Sequence, residues 1–185
     1  RKGIPVKNEH DGFRLVSIGA LRLQKNHRFL VDAFRLLKNE HIHLHIYGDG
    51  PLKTDLQNSI DEAAVNISLK GMVTNIHELL PQYDLFVMSS TFEGFSLGVL
   101  ETMAMKVPML LSDIVSFREQ CEDTAIYFSL NDVNDFADKV KALLNDKVKR
   151  DQLSENAFKR VMNNFTLEHH MKQLKQVYRE NINNN

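Results

Sequence analysis

Phe13-Arg14-Leu15-Val16-Ser17-Ile18-Gly19 and Tyr83-Asp84-Leu85-Phe86-Val87-Met88 are the two stretches on which the fold turns. The first reads as a strand stopped by a glycine, the second as a buried strand. Between and beyond them the same rhythm repeats. Leu30, Ala33, Phe34 and Leu37 recur at helical spacing. Ile42 to Tyr47 alternates and runs into the turn Gly48-Asp49-Gly50-Pro51. Leu52, Leu56, Ile60 and Ala63 mark a helix, 66–70 a short strand ending at Gly71, and 75–80 a short helix stopped by Pro81. A helix over 97–105 follows, then strands at 109–111 and 125–128. Apolar stripes through Phe136, Leu153 and Leu167 predict three closing helices, with a polar tail over 181–185. Such alternation implies an α/β fold: a Rossmann-like, doubly wound parallel sheet of about six strands with helices on both faces. The expected order is 3-2-1-4-5-6, in which the first and fourth strands are neighbours.

The composition suits this reading. A chain of 185 residues with 43% hydrophobic and 25% charged residues is an ordinary globular domain. That excludes a disordered tail, a collagen-like fibre and a small disulfide scaffold. Lys and Arg number 23 against 24 Asp and Glu, so the chain lacks the basic excess of a nucleic-acid binder. One cysteine, Cys121, forbids an internal disulfide and fits a cytoplasmic setting. No apolar run is long enough to span a membrane. The start at Arg1-Lys2-Gly3 carries no signal core and reads as the middle of a longer protein.

In a doubly wound sheet, ligands bind beyond the carboxyl ends of the strands where the winding reverses. The loops after Ile18 and Met88 therefore carry the expected chemistry. One holds Gly19, Arg22 and Lys25; the other runs from Ser89 through Glu93, Gly94, Phe95, Ser96 and Leu97 to Glu101. Both lead into helices, whose first N–H groups and partial positive charge favour anions. Gly94 and Gly98 allow close approach to that backbone. Lys25 adds a full charge, so the loops predict a phosphate or diphosphate site. An ionised carboxylate only accepts hydrogen bonds and suits vicinal hydroxyls. Glu93 and Glu101, about 12 Å apart if both lay on one helix, thus point to hydroxyl-bearing groups on either side of the phosphates. A nucleotide sugar has that layout.

Glu93-Gly-Phe-Ser-Leu-Gly-Val-Leu-Glu101 resembles the E-x7-E motif of family 4 glycosyltransferases, which have the GT-B fold. Gly19-x-Leu21-x3-Lys25-Asn26, Gly48-Asp49-Gly50-Pro51, Leu69-Lys70-Gly71-Met72-Val73, Thr102-Met103-Ala104 and Pro108 are similar to further family segments in the same order. The resemblance covers about residues 12 to 180. It implies a retaining transferase with a nucleotide-diphosphate sugar as donor, no permanently bound cofactor and no required metal. It further implies that Lys25 neutralises the leaving diphosphate, Glu93 contacts the donor sugar and Glu101 holds the ribose. Backbone N–H groups of Phe95, Ser96 and Leu97 would meet phosphates or sugar, with Val73 and Asn75 near the base. Front-face attack assisted by the leaving phosphate is the implied mechanism. The whole of 1–185 would be the donor-binding C-terminal domain, its acceptor half absent from this chain. A sugar or lipid-linked acceptor would be met through that half, in polysaccharide or glycan assembly at the inner face of the cytoplasmic membrane. Ala20 stands where the family often has Arg, and Arg22 is the expected substitute. Lys106 replaces a frequent glycine and reads as surface variation.

Other readings stay open here. Lys25 and Glu93 also suit ordinary surface charge. An oxidoreductase domain is disfavoured because the first turn lacks G-x-G-x-x-G. A non-catalytic nucleotide-binding or interaction module with the same fold, or another GT-B enzyme such as a sugar-phosphate synthase, would share every motif above. His41, His43 and His45 suggest strand side chains under a helix before they suggest zinc, and Met72, Met88, Met103, Met105 and Met109 read as core filler. Cys121 reads as an inert thiol.

Overall fold

The computed structural model describes residues 11–38, 40–166, 168, 169 and 171. Strands β1 (Phe13–Ile18), β2 (Ile42–Tyr47), β3 (Ile67–Gly71), β4 (Leu85–Met88), β5 (Met109–Ser112) and β6 (Ile126–Phe128) form one sheet in the order β3-β2-β1-β4-β5-β6. Every pairing is parallel. This is the anticipated α/β Rossmann-like arrangement, and its winding reverses between β1 and β4.

Seven α-helices are described: α1 (His27–Phe34), α2 (Lys53–Ala63), α3 (Ile76–Leu79), α4 (Leu97–Ala104), α5 (Val115–Cys121), α6 (Val133–Asn145) and α7 (Lys147–Asn164). They sort by the strand alternation. Leu15, Leu44, Ile46, Val87 and Leu110 face a core shared with α1, α2 and α6. Val16, Phe86, Met88, Met109 and Leu111 face a second core filled by α3, α4, α5 and α7. β4 and β5 are buried on both faces, which explains their unbroken apolar sequence.

Some expectations need correction. Tyr83 and Asp84 precede β4 and do not belong to it: Asp84 N–H donates to the Arg14 carbonyl while its carboxylate accepts from Arg14 N–H at 2.8 Å. Pro81 lies inside a 3-10 turn over Leu80–Gln82, since a proline near the start of a turn forfeits no N–H bond. The helix α5 has too short an apolar stripe to be read from sequence. Met72 is 82% exposed and fills no core, unlike Met88, Met103 and Met109. Lys106 is more than surface variation. It adopts a left-handed φ of 55°, where glycine is at ease, and is held by Glu155 at 2.7 Å and the face of Phe158. The closing helix expected from Leu167 lies largely outside the described residues.

The loops at the carboxyl ends of β1, β2 and β3 are locked together. Gly19 N–H donates to Tyr47 O at 2.9 Å, Gly48 N–H to Gly71 O at 2.8 Å and Leu21 N–H to Asp49 O at 3.0 Å. A Cβ on Gly48 would lie 1.9 Å from the Gly19 carbonyl oxygen, and its φ of 151° is foreign to other residues. The G-x-G-P turn is glycine-bearing because two backbones cross there.

Candidate functional site

Lys25 and Glu93 are 68 residues apart and meet at the switch point. Lys25 closes a 3-10 turn after β1, and Asn26 takes a left-handed φ of 49° to start α1. That turn folds the lysine stem back across Gly19, whose absent Cβ would meet Lys25 Cε at 3.0 Å. Nζ then donates to Glu93 Oε1 at 2.5 Å, with side-chain exposures of 19% and 10%. Ser90 Oγ donates to the same oxygen at 2.7 Å. Both contacts use Oε1, so the second carboxylate oxygen is engaged by neither.

The sequence places two serines after β4 but assigns them no individual role. Ser89 Oγ donates to the carbonyls of Lys25 and Asn26, each at 3.0 Å. Ser90 is fully buried, and its carbonyl accepts from Ser112 Oγ at 2.6 Å. Thr91 N–H donates to Gln24 O and Gln24 Nε2 to Phe92 O. These bonds seam the β1 loop to the β4 loop. The only sequence cue was their small polar character at a strand end.

Beyond Glu93 the chain enters α4. Gly94 is exposed, with nothing within 4 Å of where its Cβ would stand, so its backbone is open to a ligand. Ser96 caps α4, its hydroxyl accepting from Val99 N–H. Its own N–H, expected to meet a ligand, instead donates to the side chain of Gln120 at 3.1 Å. The residue is buried, and its amide is engaged within the protein by Gln120. Leu97 and Gly98 open the helix and by position find no acceptor within it. Phe95 is 56% exposed, its ring against Phe165. Glu101 projects from α4 and is exposed.

Val73 and Asn75 follow β3. Val73 packs against the second core, as do Ile18 and Tyr47, on the side of the sheet that carries α4; Asn75 precedes α3. The loop thus lies at the same carboxyl end of the sheet as the loops after β1 and β4. Arg22 is exposed and lines a groove of about 210 Å³ with Leu52, just before α2, and Leu56 within it. Lys25 and Glu93 do not line that groove.

His27, first in α1, is 5% exposed; burial and then the nearby Lys25 charge lower its pKa to about 4. His45 Nδ1 lies 2.8 Å from Tyr83 Oη, which also meets Tyr47 Oη. Its pKa falls to about 4, through burial first and then Lys70, Arg14 and His43. Among the described residues no three His, Cys, Asp or Glu are grouped to hold a metal. Nor is any described helix long and apolar enough to cross a membrane.

Taken together, this is a doubly wound α/β domain presenting a cation, a carboxylate and a helix start at its switch point. Residues 12–146 match the family of glycosyl transferases group 1, and the chain belongs to that family. It is 35% identical over 107 residues to an uncharacterized glycosyltransferase of Methanocaldococcus jannaschii, covering 56% of this chain and 26% of that one. It is 28% identical over 137 residues to the poly(ribitol-phosphate) alpha-N-acetylglucosaminyltransferase of Staphylococcus aureus, covering 71% and 28%. The matches thus span about a quarter of the length of these two relatives. A TarM mutant from S. aureus, solved with fondaparinux, alpha-GlcNAc-glycerol and UDP, superposes with a TM-score of 0.84 at 24% identity, over 95% of this chain and 38% of that one. At that identity the likeness shows the GT-B-type fold alone.

Proposed function

We propose that this chain is the donor-binding domain of a retaining glycosyltransferase that takes a nucleotide-diphosphate sugar without a metal. The observation that carries the reading is the Lys25–Glu93 pair, brought from two loops to the switch point beside the open start of α4. The diphosphate lies over the Gly94 backbone and the first amides of α4, with Lys25 supplying the counter-charge that a metal supplies elsewhere. Glu93, through its second oxygen, takes hydroxyls of the donor sugar. Glu101 takes the ribose, and the 73–75 loop borders the base. Gly19 lets Lys25 lie flat against the strand tip. Arg22 is a second cation that reaches the diphosphate only by swinging across the β1 loop.

In transfer, the bond from the anomeric carbon to the diphosphate oxygen breaks and a bond to an acceptor hydroxyl forms on the same face. The hydroxyl proton passes to the departing phosphate, and Lys25 stabilises the charge that develops there. An acceptor, sugar or lipid-linked, is met through a further domain of the whole protein. The poly(ribitol-phosphate) relative of S. aureus and a lipopolysaccharide core mannosyltransferase of Rhizobium meliloti, 29% identical over 132 residues, support a role in surface polysaccharide assembly. With that role goes a proposed cytoplasmic setting at the inner membrane face. Solved neighbours carrying UDP support a nucleoside diphosphate as the ligand.

The test is calorimetric titration of the chain with UDP, GDP and ADP, with and without Mg²⁺. One diphosphate should bind independently of metal, and Lys25→Met and Glu101→Ala should each weaken it at least tenfold. Binding of none of the three, or binding unchanged in both variants, would overturn the assignment.

A further inference from the structure

The segment 93–97 is exposed at every position but two, Glu93 and Ser96, and only Ser96 is buried outright, at 5%. Its C=O accepts the first bond of α4 from Leu100 N–H at 3.2 Å, its N–H and C=O both also face Gln120, and buried backbone groups need partners. Gln120 of α5, itself 2% exposed, serves both: Oε1 accepts from Ser96 N–H at 3.1 Å and Nε2 donates to Ser96 O at 2.8 Å. A primary amide alone among side chains presents one acceptor and one donor side by side, as a peptide group does. Gln120 is held from behind by Arg160 of α7. Arg160 Nε donates to Gln120 O at 2.8 Å and Nη2 to Glu119 O at 2.9 Å, while Nη1 pairs with Glu122 at 2.7 Å. The guanidinium also lies 5.6 Å from the ring centre of Phe165.

From this we infer that Gln120 is a positioning residue for the donor loop, and that Arg160 braces it. The inference rests on the donor-site reading above. An apolar residue would fill the same volume in the core without burying an amide, so packing does not account for a glutamine here. What the amide adds is a fixed point for Ser96. That point sets where the amides of Leu97 and Gly98 aim and how close Gly94 stands to Lys25. Without it the loop keeps its sequence but loses the alignment on which a diphosphate depends.

The test compares the parent chain with Gln120→Met, which keeps the volume and loses both bonds. Amide hydrogen exchange over residues 93–99 should quicken at least tenfold while β1 and β4 are unchanged. The affinity for whichever of UDP, GDP and ADP the parent binds should fall at least tenfold. Leu143→Ala, in the core on the other face, controls for stability: it should lower the melting point without loosening the diphosphate. Arg160→Lys keeps a charge for Glu122 but loses the forked contacts to two carbonyls, and should give the same changes in smaller measure if Gln120→Met does not fold. Exchange over 93–99 unchanged in a folded variant overturns the inference, and so does quickened exchange with unaltered diphosphate affinity. If the parent binds none of the three nucleotides, the donor-site reading fails, while the exchange comparison still decides whether Gln120 pins the loop.

Discussion

Replacing Lys25 by methionine keeps most of the stem that crosses Gly19 and removes only the charge. Glu93 is then left 10% exposed with a single hydroxyl donor, Ser90. Two charge centres about 4 Å apart attract by about 4 kcal/mol at an effective dielectric constant of 20. Removing one partner of a buried pair costs about 3–5 kcal/mol, because the other stays desolvated. The Ser90 bond and the nearness of water put this site at the lower end, about 3 kcal/mol. For a domain of this size about 2–4 °C is lost per kcal/mol, so Lys25→Met should melt about 6–12 °C below the parent. The double variant Lys25→Met/Glu93→Gln removes the stranded charge and should regain most of that loss. Differential scanning calorimetry at pH 7 reads all four corners of the cycle. A double variant as unstable as the sum of the singles would show that the pair is an incidental contact, and the argument from burial would fall with it.

Further expectations follow from other positions. Gly48→Ala forces a side chain onto the Gly19 carbonyl at a φ of 151° and should cost about 1–3 kcal/mol from backbone strain alone, measurable by urea unfolding. Gly19→Ala meets only the flexible Lys25 stem, so it should leave the melting point near the parent while weakening diphosphate binding by calorimetry. His27 has a folded pKa of about 4, below its unfolded value near 6.5, so the unfolded chain binds the extra proton. Stability should be unaffected by this group above pH 7 and fall between pH 6.5 and 4, by about 3 kcal/mol in all; His27→Phe should flatten that slope in pH-dependent unfolding. Burial raises the Cys121 thiol to about 12, so the native chain should resist a thiol reagent that labels it at once in urea.

The sheet order was legible because glycines and small polar residues punctuate the strand ends while the strands stay apolar between them. β1 and β2 match their expected bounds residue for residue, since each is flanked by such punctuation. α5 escaped because seven residues offer too few turns for a period to show. Lys25 and Glu93 could be singled out by placing two loops at one switch point. Ser90 and Gln120 could not, because each matters only through a partner that the fold brings to it. For Gln120 that partner is 24 residues away. The partner of the Ser96 amide was hidden for the same reason: the sequence shows a helix start, but not which of its donors the fold engages.

The central position of β1 has a consequence for how the chain comes into being. Of the strands in this sheet β1 leaves the ribosome first, yet one of its edges waits for β4, about seventy residues later. Until then β1, β2 and β3 can pair, but β1 shows a bare edge and Val16 lacks the apolar face that covers it. Pairing across that distance is slow relative to local helix formation. Lys25 is therefore synthesised and held in place well before the carboxylate that answers it exists, and a chain halted before residue 85 carries half a site and an adhesive margin. The arrangement that gathers ligand chemistry at the reversal of the winding also leaves that site unfinished until the chain has passed β4 and the start of α4.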